Sequence, residues 1–179
     1  MRTDAGEVLD AAIPVLAADR GASMQVIAAR AGISRATLTR LFPTRQYLVQ
    51  AMAHKILEDC DRVLAAAETS TVPMDETLSA LVAGYVPIAQ LWNLVYVEPD
   101  VLGVPEASAR ADEIYARTVA LIERVQNAGL LRKDMPADWL ASTFCGLTET
   151  AWELTLEGRM GYRQAPDFIT AILLNGAGA

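Results

Sequence analysis

Residues 24–42 read MQVIAARAGISRATLTRLF and have the spacing of a helix-turn-helix. Two helices that cross at a steep angle need a small residue where they touch, and Ala28 supplies it. Four residues later the turn needs a residue that tolerates positive φ, and Gly32 does so without steric cost. Ser23 and Ser34 are placed to cap the two helices. Apolar side chains then hold the second helix against the first: Ile27, Ile33, Leu38 and Leu41.

The second helix of this segment has two different sides. At 100° of rotation per residue, Leu38, Leu41 and Phe42 lie together and predict the buried side. The opposite side has no acid and is predicted to face DNA. Its small, hydroxyl and guanidinium groups suit base methyls, base edges and phosphates: Ser34, Arg35, Ala36, Thr37, Thr39 and Arg40. Arg45, just past the Pro43 corner and near a helix N-terminus, is expected to hold a phosphate.

The alternative interpretation is an amphipathic helix pair whose Arg/Thr side faces only water. Charge favours the DNA interpretation, although the net charge of −7 alone argues against a nucleic-acid partner. Residues 1–50 contain six arginines and four acids, whereas the rest of the chain contains nine basic and eighteen acidic residues. The only net-positive part of the chain therefore coincides with the helix-turn-helix.

The remaining sequence predicts an all-α fold of eight or nine helices. One helix precedes the motif over residues 3–18 and contains Pro14, which is expected to kink or weaken it. A long helix over about 44–68 is expected to link two domains. Later helices are predicted at about 75–96, 106–128, 137–158 and 166–174.

Two cysteines among 179 residues cannot form a disulfide framework, and no secretory leader is recognisable, so a cytoplasmic protein is expected. Residues 77–97 contain no charge and have about the length of a membrane span. Gly84, Pro87 and Asn93 interrupt the stretch, and acids flank it. A buried helix and no membrane partner are therefore expected.

Residues 5–58 resemble the N-terminal domain of the TetR family of bacterial transcription regulators. The resemblance is carried by residues 9–12 (LDAA), 20–21 (RG), 26–28 (VIA), 31–38 (AGISRATL) and 42–48 (FPTRQYL). Residues 128–139 (AGLLRKDMPADW) are also similar to a turn that precedes the dimerising helices of that family. Two positions depart from the family pattern, since Thr39 replaces a common aromatic residue and Leu41 a frequent histidine.

The resemblance implies a homodimeric repressor that binds double-stranded operator DNA and is released by a small-molecule effector. It implies a helix-turn-helix DNA-binding domain over residues 1–46 and a helical effector-binding and dimerisation domain over residues 47–179. Such a protein acts at the bacterial nucleoid. The effector, the operator and the choice between repression and activation stay open.

Helix 137–158 has two apolar faces and is therefore expected to need two partners. One face carries Phe144, Leu147, Ala151 and Leu154. The other carries Cys145, Thr148, Trp152 and Leu156. We expect one face to pack inside the chain and the other across a dimer, in a seam completed by Phe168, Ile169, Ile172 and Leu173. The alternative is burial of both faces within a monomer.

A pocket for an apolar or aromatic molecule is a further hypothesis. Tyr85, Trp92 and Tyr96 fall within about 40° on one helical face if that helix survives Pro87. The aromatic residues Tyr115, Phe144 and Trp152 are expected to join them. Ordinary core packing explains the same residues equally well. Glu149 and Glu153 are an acidic pair that would suit a cationic ligand, although solvated surface is the simpler interpretation.

An enzyme is the main alternative class, but the sequence contains few residues in arrangements that could catalyse a reaction. No nucleophile lies beside a base, and no phosphate-binding loop or metal-ligand set is present. The single histidine, His54, is expected to lie exposed on the linking helix. No enzyme, cofactor or metal is therefore expected. An effector-free DNA-binding activator or structural regulator is a second alternative.

Overall fold

The computed structural model describes residues 4–89 and 105–176 of the chain. Within these residues the regular elements are all helices, which confirms the all-α prediction. They are α1 (Ala5–Ala18), α2 (Met24–Arg30), α3 (Arg35–Leu41), α4 (Arg45–Glu68), α5 (Met74–Tyr85), α6 (Pro105–Asn127), α7 (Ala137–Leu156) and α8 (Ala165–Gly176). None of the helices in the described ranges is both long and apolar enough to cross a membrane.

Helix α1 continues through Pro14 to Ala18, and it buries Val8, Ala12 and Leu16. By contrast, the predicted continuous helix over 75–96 is wrong in its described part. Helix α5 ends at Tyr85 and residues 86–88 form a turn. Pro87 lacks an amide hydrogen and its ring clashes with the preceding turn, so it stops the helix there.

Helix α4 connects the two halves of the molecule. It packs against α1 at its N-terminal end and against α5 and α6 farther along. Its buried stripe runs from Leu48 through Met52 and Ile56 to Leu64. Helix α5 approaches α4 so closely that a Cβ atom on Gly84 would lie 2.6 Å from Cγ1 of Val63.

Ion pairs fasten α4 to α1 and to α6. Lys55 lies 3.1 Å from Asp10 of α1. Farther along, Arg117 of α6 donates to both carboxylate oxygens of Glu68, at 2.9 and 2.7 Å, and also to Asp61. These bonds hold the pKa of Asp61 and Glu68 below their usual values. The bonds of Arg117 were not predicted from the sequence, because Glu68 and Asp61 lie 49 and 56 residues away from it.

The two predicted faces of α7 are both mainly occupied by the chain's own packing. Phe144, Ala151 and Thr148 are buried, and Cys145, Leu147, Trp152 and Leu154 are half-buried. The side chain of Leu156 lies outside the described part. A third stripe is the exposed one: Trp139, Ser142, Gly146, Thr150 and Glu153.

The predicted seam on the last helix also needs correction. Ile169 and Leu173 are buried in the core of the chain itself, at 2% and 1% exposure. Phe168 and Ile172 remain about half exposed, at 51% and 52%. Helix α8 packs against α5 and α7, so its inner residues are used within the chain and only its flank is free.

Candidate nucleic-acid interface and internal cavity

The turn between α2 and α3 has the geometry that the sequence requires. Gly32 adopts φ +66°, which an L-residue with a side chain rarely adopts. The amide of Ile33 donates to the carbonyl of Ala28 at 3.0 Å and closes the turn. Ile27, Ala28 and Leu38 are completely buried where the two helices touch. Helix α3 is therefore held by its inner side alone.

The outer side of α3 is exposed as predicted at Arg35, Ala36, Thr39 and Arg40. Ser34 caps the helix by accepting from the amide of Thr37 at 3.0 Å. Its hydroxyl also bonds the hydroxyl of Thr37 at 2.9 Å, and Thr37 is half-buried. The cap fixes the start of the helix and leaves the outward guanidinium and hydroxyl groups in solvent.

Exposed arginines of this region have no ion-pair partners among the described residues. Arg20, Arg30, Arg35 and Arg40 form no ion pair with any described residue. Among the described residues, the lysines and arginines that form ion pairs lie between Lys55 and Arg159. The first turns of α2, α3 and α4 also lack acids, whereas those of the five other helices contain at least one. These helix ends therefore present positive potential that an external anion can satisfy.

Arg45 has a different position from the one expected. Its guanidinium donates to the carbonyl of Ala22 at 3.1 Å and to the carbonyl of Arg20. These bonds tie the start of α4 to the loop between α1 and α2. Arg45 thus fixes the α4 end of the helix-turn-helix region, and its predicted phosphate contact stays a prediction.

A small cavity lies where α4, α5 and α7 meet. It has a volume of about 10 Å³ and is lined by Cys60, Tyr85, Ile88, Ala89, Cys145 and Thr148. That space is enough for about one water molecule. Burial raises the pKa of both cysteine thiols to about 12, so they remain protonated and behave as apolar lining.

The predicted aromatic pocket is only partly assembled around this cavity. Tyr85 lines it and contacts Phe144 edge to face, with ring centroids 5.3 Å apart. Tyr115 instead bonds Asp138 and Ser142 of α7, at 3.0 and 2.7 Å, and is absent from the lining. Trp152 is half-buried on α7. Trp92 and Tyr96 lie outside the described residues.

The sequence analysis missed most of the cavity lining. Nothing in the sequence marked Cys60 and Cys145 as neighbours. Cys60 lies on α4 and Cys145 on α7, so only the packing of these helices brings them to one cavity. His54 is exposed on α4 as expected. Across the described ranges, no three His, Cys, Asp or Glu residues group as a metal site would require.

Comparisons with known proteins agree with this geometry. Residues 8–52 match the family of bacterial regulatory proteins called tetR. The chain is 30% identical over 169 residues to the HTH-type transcriptional repressor LfrR of Mycolicibacterium smegmatis, with 94% of this chain and 87% of LfrR covered.

Solved structures show the same architecture. The crystal structure of LfrR in complex with proflavine, from Mycobacterium smegmatis, superposes with a TM-score of 0.73 at 28% identity and covers 97% of this chain and 96% of that one. The ketosteroid regulator KstR2 of Mycobacterium tuberculosis gives a TM-score of 0.76 at 18% identity, covering 100% and 97%. This second likeness concerns the fold alone.

The two carbonyl bonds of Arg45 predict a structural role that can be measured. Replacing Arg45 with Met keeps the apolar stem and removes both charge-assisted bonds, so we expect about 1.5–3 kcal/mol of stability to be lost. Thermal unfolding followed by circular dichroism measures this. Arg40→Met is the matched control, because Arg40 is exposed and has no bonding partner among the described residues. Equal melting temperatures for the two variants would contradict the role.

Proposed function

Because the chain belongs to the TetR family of bacterial regulatory proteins, we propose that it is a ligand-responsive transcriptional repressor that binds operator DNA as a homodimer. One observation carries this proposal. The outer side of α3 is exposed, contains no acid and presents arginines without ion-pair partners in the described part of the chain. A duplex supplies the anions and base edges that such a surface lacks. Its place of action would be the bacterial nucleoid.

The proposed contacts divide into two kinds. Arg40 and Ala36 lie opposite the buried Leu38, and the exposed Thr39 lies beside them; these three are the residues proposed to contact base edges in the major groove. Arg35, Ser34 and Thr37 lie at the start of α3, where contacts to phosphate would fix its register. We assign this DNA-binding part to residues 1–46 and the effector part to residues 47–179, with α4 shared between them.

A single α3 helix cannot specify an operator. Its seven residues span roughly 10 Å and reach only a few base pairs, which is too little information among roughly 10⁶ or more competing sites. A two-fold dimer would read two half-sites of a near-palindrome. The exposed apolar side chains of α7 and α8 support a dimer through these helices: Trp139, Phe168 and Ile172.

The cavity beside α4 supports the proposed control by a small apolar or aromatic effector. A volume of about 10 Å³ cannot hold an organic molecule, so a ligand that bound in this cavity would have to push apart the helices that line it. The protein could then either bind a ligand in this cavity or keep the present packing of the helices around it, but not both. A ligand that prefers one of two conformations shifts the protein toward it.

Helix α4 is the element that would transmit this shift to DNA. Cys60 of α4 lines the cavity, and the N-terminal half of the same helix is fixed to the DNA-binding part by Arg45 and by the Lys55–Asp10 ion pair. A movement of α4 would therefore change the spacing of the two α3 helices in the dimer. The relative LfrR has been crystallised with proflavine, a flat tricyclic molecule, which supports an aromatic effector here.

Selection of bound DNA from a random pool tests the DNA-binding proposal. The wild-type protein is expected to select a near-palindrome. Arg40→Ala should lose preference at one symmetric pair of bases, at about 1–3 kcal/mol per contact, because that guanidinium reaches a base edge. Arg62→Ala, an exposed arginine of α4 beyond the DNA-binding part, is the control and should leave the selected sequence unchanged. An unchanged preference in Arg40→Ala would contradict the assignment.

Filling the cavity tests the coupling through α4. Cys145→Met adds more volume than the cavity of about 10 Å³ offers, so we expect the helices that line the cavity, α4 among them, to be pushed apart. We expect operator affinity without any ligand to fall roughly 5- to 150-fold, as an effector would cause. Fluorescence anisotropy with labelled operator measures this. Cys145→Ala, which adds no volume, should bind normally; equal affinity of Cys145→Met and wild type, with both folded, would contradict the coupling.

A further inference from the structure

Two side chains of α3 face most directly away from the rest of the chain. At 100° per residue, Ala36 and Arg40 each lie within about 20° of the direction opposite the completely buried Leu38. Thr37 and Thr39 lie about 80° from that direction, one on each side. Both outward side chains are exposed to solvent. A duplex that approaches α3 from outside therefore meets Ala36 and Arg40 first.

The other polar groups at α3 are less suited to discriminate between bases. The hydroxyl of Thr37 is bonded to that of Ser34 at 2.9 Å, and Ser34 also caps the helix. Arg35 lies about 120° from the outward direction. The hydroxyl of Thr39 both donates and accepts, so it suits donors and acceptors alike. Discrimination between bases therefore depends on the two outward side chains.

The guanidinium of Arg40 offers hydrogen-bond donors and no acceptor. It forms no hydrogen bond or ion pair with any residue that the structure describes, so its donors are available to a ligand. In the major groove, guanine presents two neighbouring acceptors, O6 and N7, which a guanidinium binds in bidentate fashion. Adenine presents an amino donor beside its N7, and this donor faces the guanidinium unfavourably. Arg40 is therefore suited to guanine.

Ala36 offers one methyl group and no polar side-chain atom. The apolar group that a base edge presents in the major groove is the 5-methyl group of thymine. Because the Ala36 side chain is short, it reaches this methyl only where the backbone of α3 lies close to the bases. Ala36 and Arg40 are one turn apart, roughly 6 Å along the helix axis. Successive bases lie about 3.4 Å apart, so the two side chains reach bases within about two steps of each other.

We propose that each operator half-site contains a guanine bound by Arg40 and, within about two base-pair steps, a thymine whose 5-methyl group packs against Ala36. This inference rests on the proposed function, since it names the bases that the same surface reads. The bidentate hydrogen bonds select guanine, and the methyl contact selects thymine over cytosine, which has no methyl group there. Ala36 also sets the distance of approach, because a larger side chain would hold α3 away from the bases.

A base analogue that keeps Watson–Crick pairing tests the contact of Arg40. The palindrome selected from the random pool is synthesised with 7-deazaguanine, which lacks the N7 acceptor, at the Arg40-dependent position of one half-site. Fluorescence anisotropy with the full-length protein should show roughly 10- to 100-fold weaker binding, the loss of one charge-assisted hydrogen bond. Arg40→Ala should bind both duplexes equally. Arg30→Ala, which removes an exposed arginine from α2, is the matched control and should keep the full discrimination.

Deoxyuridine in place of thymidine tests the contact of Ala36, because this exchange removes only the 5-methyl group. At the thymine near the Arg40-dependent guanine of one half-site, it should weaken wild-type binding roughly fourfold, the burial of about one methyl group. Ala36→Gly should bind both duplexes equally, and any loss of helix stability in this variant affects both measurements alike. Ala29→Gly, the same change at an exposed position of α2, should keep the fourfold difference.

The outcomes separate this inference from the proposed function. A selected palindrome whose Arg40-dependent base is not guanine would overturn the inference, and so would wild-type affinity that either analogue leaves unchanged. Discrimination that persists in Arg40→Ala or in Ala36→Gly would overturn it as well. In all of these cases the protein still binds a palindrome, so the proposed function stands. Failure of the wild-type protein to bind any DNA would instead contradict the proposed function and the inference with it.

Discussion

Complete burial of Leu38, on the inner side of the seven-residue helix α3, is the constraint on which the rest of the structure depends. Helix α3 is too short to be stable alone, so Leu38 must bury fully against Ile27 and Ala28. Gly32 and the Ser34 cap allow this packing by turning the chain and starting the helix at fixed positions. Because all stabilising contacts of α3 lie on that side, its other side is free to present arginines to a duplex.

Helix α4 connects the two parts of the molecule through a small number of polar contacts. Arg45 and Lys55 fasten it to the DNA-binding part, and Asp61 and Glu68 fasten it to α6. Between these fixed regions, Cys60 lines a cavity of only about 10 Å³. A ligand that opens this cavity must act on a helix that is held at both ends, so local expansion would be passed along it as a movement of the DNA-binding part.

Local signals in the sequence predicted most of the fold and the outer face of α3. Caps, the glycine turn and apolar periodicity act within a few residues, which is why Ser34, Gly32 and Leu38 were found. Interactions over long sequence separations were not predicted: Arg45 bonds carbonyls 23 and 25 residues away, and Arg117 bonds carboxylates 49 and 56 residues away. Glu149 is half-buried, which likewise depends on helix packing that no periodicity of α7 alone reveals.

Hydroxyl-radical footprinting on DNA recovered from the random pool tests the central claim most directly, because it reports which face of the duplex the protein covers. If two α3 helices lie in the major groove, protection should appear as two patches related by a two-fold axis. These patches should lie on one face of the duplex, about one helical turn or a multiple of it apart. Absence of any protected tract at low ionic strength, or a single tract without two-fold symmetry, would contradict the account.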